Sequence, residues 1–206
     1  MKKYFFLGFV YEDPNRYKVK KSEDPDFKIA DAETGDIFGV EVTKLYYSEA
    51  SARTKNIKNY LDRALMDQGI LHKDDRIKFS LCDIFKVDEA GNKISEVTKC
   101  IRRDQPSCWP EYTCRVINSI VEKDSKFKNY DGSLSFINLI ICDMECGYKN
   151  IPREHFASVF TSENIGKDLV KYLSISKFKK IYFITDLICS GSVLKIALDL
   201  KSMFLD

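Results

Sequence analysis

Asp26 and Glu41 are two carboxylates whose surroundings suit shared chemistry. They lie in the stretch 25–44, where residues 27–30 and 37–42 read as short strands. Between them Glu33-Thr34-Gly35-Asp36 supplies the residues that tight turns use to reach positive φ. In the second run Val40 and Val42 alternate with Glu41 and Thr43, so a strand buries the valines on one face and aims Glu41 and Thr43 at the other. An acid pointing inward from a strand needs a partner. Asp26, at the mouth of the neighbouring strand, is placed to share a hard divalent cation with it, Mg²⁺ or Mn²⁺. Such ions take one or two carboxylates and complete their shell with water and substrate phosphate. The bland alternative is a surface hairpin with an acidic turn.

The elements around this hairpin follow from pattern. Residues 1–10 resemble a signal peptide only briefly, because Glu12-Asp13-Pro14 interrupts the apolar run, and they read as a first strand. Residues 12–24 read as a polar connection in which Glu12 and Glu23 are solvated acids or further candidates for the site. Ser48 or Ser51 caps a predicted helix that reaches Gly69, with Ile57, Leu61, Ala64 and Leu65 on one face. Arg53, Lys55 and Lys58 lie mostly off that stripe, a solvated face or a surface for phosphate contact. Residues 76–87 and the run from Ile94 read as a hairpin about the turn 88–93. The segment 86–110 is thus a hairpin or irregular insertion in one domain spanning 1–206. Cys100, Cys108 and Cys114 lack the paired spacing of a zinc site and read as packed thiols.

Residues 111–127 give the clearest helix, with Tyr112, Val116, Ile120 and Phe127 as its stripe, broadened by Ile117. At about 100° per residue Lys123 falls on the edge of that stripe. A lysine there either snorkels or serves a site on the buried face. Residues 135–142 are apolar throughout and suit the interior of a sheet. A helix capped at Ser162 or Asn164 follows, then a buried strand at 180–185 and a last helix at 193–204. The alternation predicts an α/β fold, a mixed central sheet flanked by helices.

Pro25-Asp26, a spacer, then Glu41-Val42-Thr43 resembles the core hairpin of the PD-(D/E)XK nucleases, with Thr43 where that family has its lysine. The resemblance implies a restriction-endonuclease-like fold and a Mg²⁺-dependent phosphodiesterase acting on DNA, or alternatively RNA. It further implies that Asp26 and Glu41 bind metal, that Thr43 positions a water or a backbone carbonyl, and that a lysine from another element completes the site. Lys123 is the first choice for that lysine and Lys28 the second. The discriminating feature is an ammonium within hydrogen-bond reach of the two acids. Without it the reading becomes a non-catalytic nuclease-like domain that binds nucleic acid or protein. The segment 185–192 more weakly resembles the phosphate loop of type I phosphoribosyltransferases, a third alternative as a small-molecule enzyme. With 33 basic and 31 acidic residues there is no global electrostatic footprint for nucleic acid, so any such contact is a local patch. Seven cysteines without a repeated spacing suit reduced thiols and a cytoplasmic setting. No apolar run is long enough to span a membrane. Oligomeric state is left open, a homodimer included.

Overall fold

The computed structural model describes residues 4–46, 49–60, 62–63, 72, 75, 79–103, 109–144, 165–189 and 192–205. The chain divides into two compact units, one formed by Met1–Leu45 with Cys108–Asp206 and the other by Tyr46–Ser107. Strands fall in chain order at β1 (Tyr17–Lys21), β2 (Phe27–Asp31), β3 (Ile37–Leu45), β4 (Phe79–Val87), β5 (Lys93–Arg103), β6 (Ile137–Asp143), β7 (Ile181–Cys189) and β8 (Ser192–Asp199).

In the first unit six strands form one sheet in the order β1-β2-β3-β6-β7-β8. The first three make an antiparallel meander, β6 and β7 run parallel to β3, and β8 returns antiparallel along β7. The architecture is therefore α/β with a mixed sheet. Helices α3 (Trp109–Ser125), α4 (Ile165–Ile175) and α5 (Leu200–Leu205) pack on one another, α3 against β3 and β6 and α5 against β7 and β8. Every residue of β6 is buried, as its continuous apolar run predicts for a strand covered on both faces.

The two faces of the sheet divide by the alternation of side chains. Phe27, Ile29, Phe38, Val40, Val42, Ile140, Cys142 and Ile184 form a core with Phe6 and Leu7 of a short helix α1 (Tyr4–Leu7). Lys28, Glu41 and Thr43 consequently point to the other face, where Val116 and Ile120 of α3 are wholly buried. The hairpin β2–β3 forms as its pattern predicts, and Gly35 in its turn has φ +77. Gly39 has a different reason to be glycine. A Cβ there would lie 2.6 Å from Pro25 Cγ and 3.0 Å from Leu134 Cδ1. Gly39→Ala should therefore push Pro25, and Asp26 with it, off β3. Overpacking of this kind costs about 1–3 kcal/mol, so thermal unfolding should show a fall of several degrees.

Four expectations for the elements need correction. Residues 4–7 are helical rather than a strand, with adjacent Phe6 and Leu7 both buried and Phe5 50 % exposed, so the side chains do not alternate as they would in a strand with one solvent face. The connection 12–24 contains β1, an edge strand whose exposed lysines discourage further pairing. The helix expected to reach Gly69 is α2 (Glu49–Asn56). Asn59 adopts φ 56 just beyond it and Ile57 is exposed, while Leu61, Ala64, Leu65 and Gly69 lie outside the described residues. Finally, the stretch from 192 to 199 is β8, not helix. Its backbone gives β7 the partners that an edge so long would otherwise lack. Residues 185–189 and 192 thus belong to two paired strands, where the phosphoribosyltransferase resemblance implied a loop opening a helix, and residues 190–191 lie outside the described residues.

The second unit is built on the hairpin β4–β5. Its turn forms as predicted. Asp88 Oδ1 accepts the backbone N–H groups of Ala90 (3.0 Å) and Asn92 (2.7 Å), and Gly91 takes φ +84.

Candidate functional site

Extending the β2–β3 register one residue past the pair Phe27↔Val40 sets Asp26 opposite Glu41. The backbone joins them in both directions. Val42 N–H donates to Asp26 Oδ2 at 2.9 Å, and Asp26 N–H donates to Glu41 Oε2 at 3.3 Å. Each carboxylate is therefore oriented by the neighbouring strand. Glu41 is buried and Asp26 half-buried, and the half-buried Thr43 lies two residues along β3 on the Glu41 face.

Lys123 reaches this pair from α3. Its ammonium donates to Glu41 Oε1 at 2.6 Å, with the lysine side chain 15 % and the glutamate side chain 8 % exposed. Val116 and Ile120 seat the helix on the sheet and Lys123 follows at the edge of their stripe, so the helical period that buries them also delivers the ammonium. Lys28 takes another course: it donates to Asp131 Oδ2 at 2.6 Å. That bond, with the N–H and hydroxyl of Ser133, holds the Asp131 carboxyl well below the usual carboxylate range. A carboxyl depressed in the folded state stabilises above its unfolded value of 3.8 and loses that contribution as the pH falls below it. Asp131→Asn should accordingly flatten the acid limb of stability, measured as unfolding temperature from about pH 6 down to about pH 2.5.

The other polar and cysteine side chains are placed as follows. Arg53 on α2 forks onto the fully buried Asp75, Nε to Oδ2 at 2.8 Å, and Tyr60 O–H donates to the same carboxylate. Arg53 chiefly holds the Asp75 carboxyl below its ordinary range, with Tyr60 helping, so this arginine carries a structural ion pair. Lys58 is exposed, and the Lys55 side chain lies outside the described residues. Glu12 and Glu23 are exposed. Asp143, at the end of β6, accepts the buried Thr185 hydroxyl at 2.7 Å. Cys114 is an exposed thiol rather than the packed one expected, whereas the side chains of Cys100 and Cys108 are not among those described.

One residue at the site escaped sequence reasoning. Tyr130 closes the 3-10 turn Phe127–Asn129 that follows α3, and burial together with the charges of Glu41 and Asp26 pushes its phenol up. A single tyrosine in a short turn has no period to betray it.

Among the described residues no three His, Cys, Asp or Glu side chains converge to hold a metal, and no helix is long and apolar enough to cross a membrane. Comparison with protein-family models, with curated proteins and with solved structures finds no match to this chain.

Proposed function

We propose that this chain has a restriction-endonuclease-like core and is a Mg²⁺-dependent phosphodiesterase acting on nucleic acid, DNA before RNA. The observation that carries the reading is the 2.6 Å approach of Lys123 Nζ to Glu41 Oε1. A positive charge that the hairpin lacks at position 43 arrives from α3. Element order supports it too, since a helix ending in lysine precedes the apolar strand β6. An exposed thiol at Cys114 suits a reducing, cytoplasmic setting.

The residues fit a hard divalent cation, offering two carboxylates on adjacent strands, each oriented by a backbone N–H. Asp26 and Glu41 would hold the ion, which when bound supplies a lowered water pKa and charge stabilisation on phosphate. The chain's own groups do the rest. Lys123 pairs with Glu41 in a largely buried position and would set a cation where negative charge develops on the phosphorus oxygens. The Thr43 hydroxyl, on the same strand face, can both donate to and accept from a water and so orient it.

The direct test is incubation of labelled DNA and RNA with Mg²⁺ or Mn²⁺, alongside Mn²⁺ titration calorimetry. Metal-dependent cutting with metal binding is the expected result. A protein that neither cuts nor binds Mn²⁺ ends this reading. One observation favours a second reading, a nuclease-like domain that binds without cleaving. Both Glu41 oxygens already accept hydrogen bonds, from Lys123 and from Asp26 N–H. Retention of nucleic acid in a gel shift without cutting would select it.

A further inference from the structure

Tyr130 is 9 % exposed, and its buried hydroxyl has no hydrogen-bond partner among the described residues. Buried hydroxyls in native proteins are nearly always satisfied, by protein or by something held beside them. The ring is fixed by an edge-on contact with Phe127 (centroids 5.6 Å apart) and by Phe178 (6.3 Å). The next residue, Asp131, is bonded to Lys28 on β2. Lys28 is two residues from Asp26 and faces the same side of the sheet as Glu41, so this bond ties the residue after Tyr130 to the strand and face that carry the acids.

Glu41, Asp26, Asp24 and Asp124 all act on the phenol electrostatically, and with burial they keep it protonated. The hydroxyl is thus a neutral donor. It bonds to neither site carboxylate, and an oxygen held there would give it an acceptor. Tyr130 also lines a depression of about 460 Å³ to which Lys128, Lys177 and Asp131 contribute charge and which Asp26 and Glu41 do not border.

We propose that the Tyr130 hydroxyl donates a hydrogen bond to an oxygen held at the Asp26–Glu41 site, either a metal-bound water or a backbone phosphate oxygen of the nucleic acid. The inference rests on the nuclease reading and adds a residue to its site. Tyr130→Phe keeps the ring and removes only the donor. Three measurements on the full chain decide it: unfolding temperature without metal, Mn²⁺ affinity by calorimetry, and cleavage of labelled DNA.

The unfolding temperature should be unchanged or higher, since no protein partner is lost. Either Mn²⁺ affinity should fall, which identifies the water, or cleavage alone should fall, which identifies the phosphate. The loss expected is about tenfold to a hundredfold, the worth of a hydrogen bond to a charged acceptor. If the wild type binds Mn²⁺ and cuts, and Tyr130→Phe equals it in both, the hydroxyl merely holds a structural water and the proposal is overturned. A clear drop in unfolding temperature would overturn it as well, by showing a protein partner. A wild type that neither binds nor cuts defeats the nuclease reading itself, and this inference falls with it.

Discussion

Asp26→Asn should lower metal-dependent cleavage by at least about a hundredfold while leaving the protein folded. The metal and its water are asked for several kcal/mol of transition-state stabilisation, and each 1.36 kcal/mol is about tenfold in rate. The fold should tolerate the change because an amide oxygen can still accept the Val42 N–H that Asp26 Oδ2 receives at 2.9 Å. Glu41→Gln should lose as much activity but also some stability, since its partner Lys123 is then left without an anion at 2.6 Å. Asp26→Asn is therefore the cleaner variant. Undiminished cutting by it would remove this carboxylate from the site.

Lys123→Met should be among the most destabilising single changes in the sheet-bearing unit. It leaves the Glu41 carboxylate, 8 % exposed, without its cation. Removing one partner of a buried pair costs about 3–5 kcal/mol, which for a chain of this size lowers the unfolding temperature by roughly 6–20 °C. Two companion measurements separate stability from chemistry. The double variant Lys123→Met with Glu41→Leu should regain most of the loss, because a buried ion pair can often be exchanged for apolar side chains at little cost, yet it should not cut. Mn²⁺ should raise the unfolding temperature of Lys123→Met more than that of the wild type, since the divalent ion no longer competes with an ammonium for Glu41. If Lys123→Met unfolds at the wild-type temperature, solvent screens the pair and Glu41 needs no partner.

The parts of this arrangement that were legible in the sequence are those that repeat. Val40 and Val42 alternating with Glu41 predict which strand face carries the acid, and the stripe Val116–Ile120 predicts where Lys123 stands. These are statements about period, and period survives folding. What escaped is set by single contacts. One helical turn at Phe6 and Leu7 is too short to show its repeat. The strand β8 shows itself only in its antiparallel pairing with β7, from Tyr182↔Asp199 to Cys189↔Ser192. The choice between Lys28 and Lys123 turned on Asp131, which is 103 positions from Lys28. Arg53, a candidate for phosphate, is taken by Asp75 through a pairing no spacing rule announces.

The pairing of Glu41 with Lys123 also sets a timetable. The two residues are separated by 82 positions, and most of that interval is the unit Tyr46–Ser107 lying between β3 and α3 in the chain. A ribosome moving at about 5–20 residues per second finishes the β1–β3 meander roughly 4–16 s before it makes the lysine that neutralises the acid at its centre. During that interval the hairpin carries an uncompensated carboxylate on the face destined for burial. Closing the sheet onto α3 must therefore wait for the far side of the intervening unit, and the nascent meander stays hydrated on that face until Lys123 emerges.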